Sequence, residues 1–86
     1  MYPVRDRRME DVLVSAALCT ELAQALMRRH WTLVTAESCT GGLIGKLITD
    51  VNGASGVFEE GFITYSNSAK IKHLGVSPSL LDEHGA

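Results

Sequence analysis

The sequence predicts an α/β fold, a layered arrangement with a parallel or mixed sheet flanked by helices. Two observations carry this. Short β-branched or aromatic runs, Trp31 to Ala36 and Gly61 to Tyr65, alternate with segments whose apolar residues recur at helical spacing. The connections between them are rich in glycine and small polar residues, as in Glu37-Ser38-Cys39-Thr40-Gly41-Gly42 and in residues 50–56. Only two strands are legible. Parallel strands are normally covered on both faces and flanked by further strands, so the sheet is expected to be incomplete in this chain.

From residue 10 to residue 29, Val14, Leu18, Leu22, Ala25 and Leu26 fall on one helical face, with acids at the start and Arg28, Arg29 and His30 at the end. That polarity complements the helix dipole. The residues before it, 1–9, carry three arginines and a proline without a pattern, and are expected to form a flexible leader to a folded unit over 10–86. Trp31 to Ala36 reads as a buried strand. A second helix follows from about Gly41 to Thr49, with Leu43, Ile44, Leu47 and Ile48 turned to a sheet and Lys46 and Asp50 turned outward. Gly61 to Tyr65 reads as the second strand, its glycine marking a bulge or a close backbone approach. Ser66 then caps a helix over residues 67–74, closed by Gly75. Ser77-Pro78 opens a last helix that runs to about His84.

Composition narrows the function. With 45% hydrophobic and 21% charged residues in 86, the chain is an ordinary globular domain, and its net charge of −2 offers no footprint for nucleic acid. A domain of this size buries only about 60–65% of its unfolded surface and is marginal unless it oligomerises or continues into more chain, and an open parallel edge makes a homo-oligomer expected. No targeting segment or membrane span is expected, and the two cysteines, Cys19 and Cys39, suit a reduced cytoplasm rather than a disulfide scaffold.

Several motifs are excluded by spacing. Thr40 stands where a phosphate-binding GxxxxGK loop needs its first glycine, and Gly41-Gly42 lacks the GxGxxG pattern. Ser38 is neither the serine of an SxxK motif nor the centre of GxSxG. His30, His73 and His84 have no metal-ligand spacing. What remains is Ser38 in a strand-to-helix turn, readable as a nucleophile, an anion ligand or, with Thr40, a helix cap. Lys70 reads either as a lysine on a solvated face with its stem snorkelling or as the candidate base for Ser38. It lies near the start of the helix capped by Ser66, where the dipole disfavours an ammonium, and beside Ile71 on the packed face, with Lys72 pointing away. Tyr65 reads as a core or edge-strand aromatic ahead of a catalytic phenol. Glu37 reads as pairing with a cation or facing solvent.

The run Thr35-Ala36-Glu37-Ser38-Cys39-Thr40-Gly41-Gly42 is followed by Gly53-Ala54-Ser55, Phe58, Gly61, Tyr65-Ser66-Asn67-Ser68-Ala69-Lys70 and Leu74-Gly75-Val76. Together these resemble the CinA C-terminal domain family, whose active members are nicotinamide-nucleotide amidases, over roughly Val12 to Ala86. The resemblance implies hydrolysis of the carboxamide of nicotinamide mononucleotide to nicotinate mononucleotide and ammonia. It implies Ser38 and Lys70 as a catalytic dyad, Tyr65 as its assistant, and Glu37, Cys39, Thr40, Gly41 and Gly42 as residues around the substrate. No metal or cofactor is implied; the partner is a small pyridine nucleotide.

The backbone N–H groups of residues 39–42 suit either a tetrahedral oxyanion or the substrate phosphate, and the sequence leaves both open. The family's domain continues for about as many residues again, so the chain is expected to be its N-terminal part, impaired as an enzyme. The alternatives are a non-catalytic nucleotide- or phosphate-binding module and a non-functional fragment.

Overall fold

The computed structural model describes residues 7–86; residues 1–6 of the expected leader lie outside the described residues. Residues 7–9 were expected in that leader but are helical. The element order is α1 (Arg7–Arg29), β1 (Leu33–Glu37), α2 (Leu43–Thr49), a 3-10 turn (Ala54–Gly56), β2 (Phe58–Ile63), α3 (Asn67–Leu74) and α4 (Pro78–His84). The fold is α/β, with β1 and β2 paired in parallel and joined through α2.

The end of α1 is set by backbone closure. His30 takes a left-handed φ of 57°, which lets the Trp31 N–H reach back to the Leu26 carbonyl at 3.0 Å. Trp31 is thereby part of the helix terminus and not of the strand, and its ring lies under the Arg29 guanidinium, 5.2 Å from the ring centroid. The ladder starts two residues later, where the Leu33 N–H meets the Val57 carbonyl at 2.7 Å. β1 therefore covers 33–37 rather than 31–36.

β2 is also displaced from its expected position, starting at Phe58 and ending at Ile63. The register slips between Leu33 and Val34, which face Phe58 and Glu60, so Glu59 is the extra residue of a bulge. Gly61 is not the bulge. It is the close approach: a Cβ there would stand 2.9 Å from Thr35 Oγ1 and 3.2 Å from Phe58 Cζ.

The core gathers Ala23, Leu26 and Val57 with Met27, Leu33 and Val51 around them, and Leu47 and Ile48 of α2 are buried nearby. The expected stripe on α1 is buried only at its C-terminal end. Val14 and Leu18 remain 60% and 58% exposed, because a 23-residue helix is about 35 Å long and outreaches the elements that cover it. Along β1, Thr35 and Glu37 are buried while Val34 and Ala36 are exposed, so helices cover one face of the sheet and leave the other open. The sheet is incomplete as expected.

α3 and α4 follow the expected boundaries. The Ser66 Oγ accepts the Ala69 N–H at 3.1 Å, and Gly75 closes α3 with φ 68°. Pro78 occupies the first turn of α4, but the Ser77 hydroxyl bonds Ser79 Oγ at 2.7 Å instead of a backbone N–H. Lys46 and Asp50 point outward as an exposed ion pair at 2.6 Å.

Candidate active site

Both parallel strands end on the same side of the molecule, and their carboxyl ends are tied together: the Thr64 N–H donates to the Glu37 carbonyl at 2.9 Å. The residue that follows each tie begins a connection. From β1 the chain enters Ser38 to Gly42; from β2 it enters Tyr65, Ser66 and then α3. Segments distant in sequence therefore meet beyond the strand ends, the usual location of ligand sites in parallel sheets.

The β1–α2 turn is built around Glu37. Its carboxylate is 6% exposed and folds forward over the start of α2. Oε1 accepts the Ile44 N–H at 2.7 Å and the Thr40 hydroxyl at 2.8 Å, and Oε2 accepts the Gly45 N–H at 3.0 Å. Burial pushes the carboxyl up, yet the Gly45 and Ile44 N–H groups and the Thr40 hydroxyl outweigh it and hold Glu37 below its usual 4.5. This corrects the expectation that Glu37 pairs with a cation or faces solvent. Its oxygens are taken by protein donors, and what it gives the site is a fixed turn.

The same contacts correct the reading of the helix end. α2 begins at Leu43, two residues later than expected, after Gly42 at φ 101°. Neither Ser38 nor Thr40 caps it; the Glu37 carboxylate does so from β1. Gly41, at φ 65°, is held by its N–H to the Ser38 carbonyl at 3.1 Å. Ser38 Oγ, released from capping, is half-buried with no protein hydrogen bond among the described residues.

Ser38 and Lys70 line one open cavity of about 500 Å³. Lys70 is half-buried there, whereas Lys72 is exposed, as the helical wheel predicts. Cys39 and His84 supply the remaining polar lining, and Val76, Leu80 and Leu81 give an apolar wall. Tyr65 is 74% exposed and does not line this cavity, nor do Glu37, Thr40, Gly41 or Gly42. His84 and the apolar wall were not picked out from the sequence for this site. A signal was present, since Leu80 and His84 are four apart on the helix that Ser77-Pro78 opens. Among the described residues no group of histidine, cysteine and acidic side chains forms a metal site, and no helix is long and apolar enough to cross a membrane.

The CinA C-terminal domain family matches this sequence over residues 15–86. The chain belongs to the CinA C-terminal domain family. Among curated relatives, this CinA domain is 52% identical over 69 residues to the nicotinamide-nucleotide amidohydrolase PncC of Escherichia coli (strain K12), covering 80% of the chain and 42% of that protein. It is 44% identical over 86 residues to a CinA-like protein of Chlorobaculum tepidum, covering 100% of the chain and 18% of that protein. Among solved structures, the competence damage-inducible protein A of Klebsiella pneumoniae superposes with a TM-score of 0.76 at 36% identity, over 81% of this chain and 44% of that one. The CinA domain chain thus spans less than half the length of each of these relatives.

Proposed function

We propose that the chain carries the nucleophile-bearing part of a nicotinamide-nucleotide amidase site, acting in the cytoplasm on the carboxamide of nicotinamide mononucleotide. The observation that carries this reading is the single cavity shared by Ser38 and Lys70. Its similarity to the E. coli amidohydrolase supports the substrate class. Residues 10–86 form the N-terminal part of such a domain, and the remaining walls of the site come from additional chain.

The chemistry follows from the residue types. An amide is a weak electrophile, so a serine hydroxyl attacks it only when a base removes its proton. Neutral Lys70 takes that proton from Ser38 Oγ as the new C–O bond forms, then delivers it to the nitrogen as the C–N bond breaks and ammonia leaves. Water, deprotonated by Lys70, attacks the acyl-serine; as the ester C–O bond breaks, Lys70 returns the proton to Ser38 Oγ and nicotinate mononucleotide leaves. The hydrolysis consumes one water, balances without redox change and calls for no cofactor.

Developing charge on the carbonyl oxygen falls near the backbone N–H groups of Cys39 and Thr40, beside the nucleophile. The alternative use of this turn as a phosphate cradle is disfavoured, because the first free N–H groups of α2 already hold the Glu37 carboxylate. That also weighs against a non-catalytic phosphate-binding module built on Thr40 to Gly42. Tyr65 assists from outside the cavity lining, its phenol exposed and uncommitted to the core. The open sheet face and the exposed Val14 and Leu18 of α1 favour a homo-oligomer.

The test is ammonia release from nicotinamide mononucleotide, measured on the 86-residue chain and on the chain grafted in place of the matching segment of the E. coli relative. Ser38→Ala and Lys70→Ala are each expected to lower turnover by at least about a thousandfold, the scale of losing an activated nucleophile or its base. Turnover that survives either substitution in the active graft removes the dyad.

A further inference from the structure

We infer that His84 is the phosphate-recognising residue of this cavity, a specificity-determining contact that selects a phosphorylated pyridine nucleotide over its nucleoside. The inference rests on the amidase reading for the identity of the ring and its carboxamide, and on the geometry of the cavity for the phosphate. A mononucleotide brings three chemistries that the lining must match: a carboxamide, an apolar ring face and an anionic phosphate.

The first is met by Ser38 and Lys70, and the second by Val76, Leu80 and Leu81. The third needs a cation or a set of free N–H groups. The start of α2 is unsuitable, because its Ile44 and Gly45 N–H groups already bind the carboxylate of Glu37, and a second anion there would meet that charge. Among the described residues the lining offers two side chains able to carry positive charge, Lys70 and His84. Lys70 must be neutral to serve as a base. His84 is left to hold the phosphate.

Its surroundings permit that role. The imidazole is 68% exposed at the cavity wall, and its Nε2 lies 3.9 Å from Glu83 Oε2, too far to be consumed by a hydrogen bond. The charged and titratable groups around it are Glu83, 3.9 Å away on its own helix, and those that line the same cavity: Lys70 from α3, Cys39 from the β1–α2 turn and, in the 86-residue chain, the terminal residue Ala86. A protonated imidazole holds a phosphate more strongly than a neutral one, and histidine ordinarily changes charge between pH 5 and 8. Preference for phosphate is therefore strongest at the acid end of that range.

The experiment is equilibrium binding of nicotinamide mononucleotide and nicotinamide riboside, which lacks the phosphate, to the 86-residue chain and to the graft, at pH 6 and pH 8. Wild type is expected to prefer the mononucleotide by about tenfold or more at pH 6, the worth of one charge-assisted hydrogen bond, and by less at pH 8. His84→Gln should remove the preference, while His84→Arg should keep it at both pH values. The exposure of His84 makes both variants compatible with folding, which circular dichroism checks. A preference that persists in His84→Gln overturns the inference, as does a wild type that binds both ligands equally or neither. Ammonia release separates the two readings: phosphate preference through His84 without turnover sinks the amidase alone, and turnover with a preference indifferent to His84 sinks this inference alone.

Discussion

Replacing Glu37 by glutamine removes a charge while keeping the shape of the side chain, and its cost can be worked from three hydrogen bonds. The amide oxygen of glutamine still accepts from the Ile44 N–H and the Thr40 hydroxyl, at the positions now 2.7 and 2.8 Å from Oε1. Its NH2 group takes the place of Oε2 and points a donor at the Gly45 N–H, 3.0 Å away. A buried N–H left without an acceptor costs about 1–3 kcal/mol. Losing the negative charge at the start of α2 costs about 0.3–1 kcal/mol more. Glu37→Gln should therefore destabilise the chain by about 1.5–4 kcal/mol, against a total of roughly 4–13 kcal/mol for a domain of this size.

Urea unfolding followed by circular dichroism at pH 7 measures this as a lower midpoint with an unchanged slope. The pH dependence supplies a second check. Glu37 is held below 4.5 in the folded state, so its contribution is fully present above the unfolded value and is lost as pH falls through the folded one. Wild type and Glu37→Gln should differ at pH 7, and the difference should shrink as pH falls below 4.5. Equal midpoints at pH 7, or a difference that does not shrink at all as pH falls below 4.5, would refute the idea that this carboxylate holds the turn.

Two further predictions concern the backbone that carries the site. Gly42→Ala should destabilise more than Gly41→Ala: φ 101° lies well beyond the left-handed well that φ 65° occupies, and a Cβ at position 42 would meet Ile63 Cδ1 at 2.8 Å while one at 41 meets nothing within 4 Å. About 1 kcal/mol for Gly41→Ala and 2 or more for Gly42→Ala, read from thermal or urea midpoints, is the expected order; the reverse order counts against the described turn. Ser66→Ala removes the acceptor of the Ala69 N–H and should cost about 1 kcal/mol, with hydrogen exchange accelerated in α3, the helix that carries Lys70.

The parts of the fold legible in the sequence are those governed by neighbours along the chain. Ser66 capping α3, Gly75 ending it and Pro78 opening α4 each depend on a few consecutive residues, and their positions agree with the structure. The strand boundaries depend instead on partners. Where β1 starts was decided by the Val57 carbonyl and by Trp31 folding back on Leu26, and neither can be read from Trp31 to Ala36 alone. The long apolar stripe of α1 shows the opposite limit, since periodicity reports which face is apolar and not whether anything covers it.

For the site, the residue types of Ser38 and Lys70 were visible in the sequence, but the packed face expected beside Lys70 is not formed by Ile71 and Leu74, which are 38% and 41% exposed. The meeting of Ser38 and Lys70 in one cavity was decided by the parallel pairing of β1 and β2, which places the ends of both strands side by side. Glu37 was misjudged because its partners lie seven and eight residues ahead, across a turn whose path two left-handed glycines determine. His84 entered the cavity through the packing of α4; the four-residue spacing of Leu80 and His84 puts them on one helical face but does not say what that face meets. Sequence by itself determined the presence of four helical segments, the caps of α3 and the candidate side chains Ser38 and Lys70, because those follow from local hydrogen bonding, period and residue type. Only tertiary structure decided which carboxylate closes α2, which cations face the cavity and which aromatic stands outside it, because each depends on chain segments brought together across the sheet.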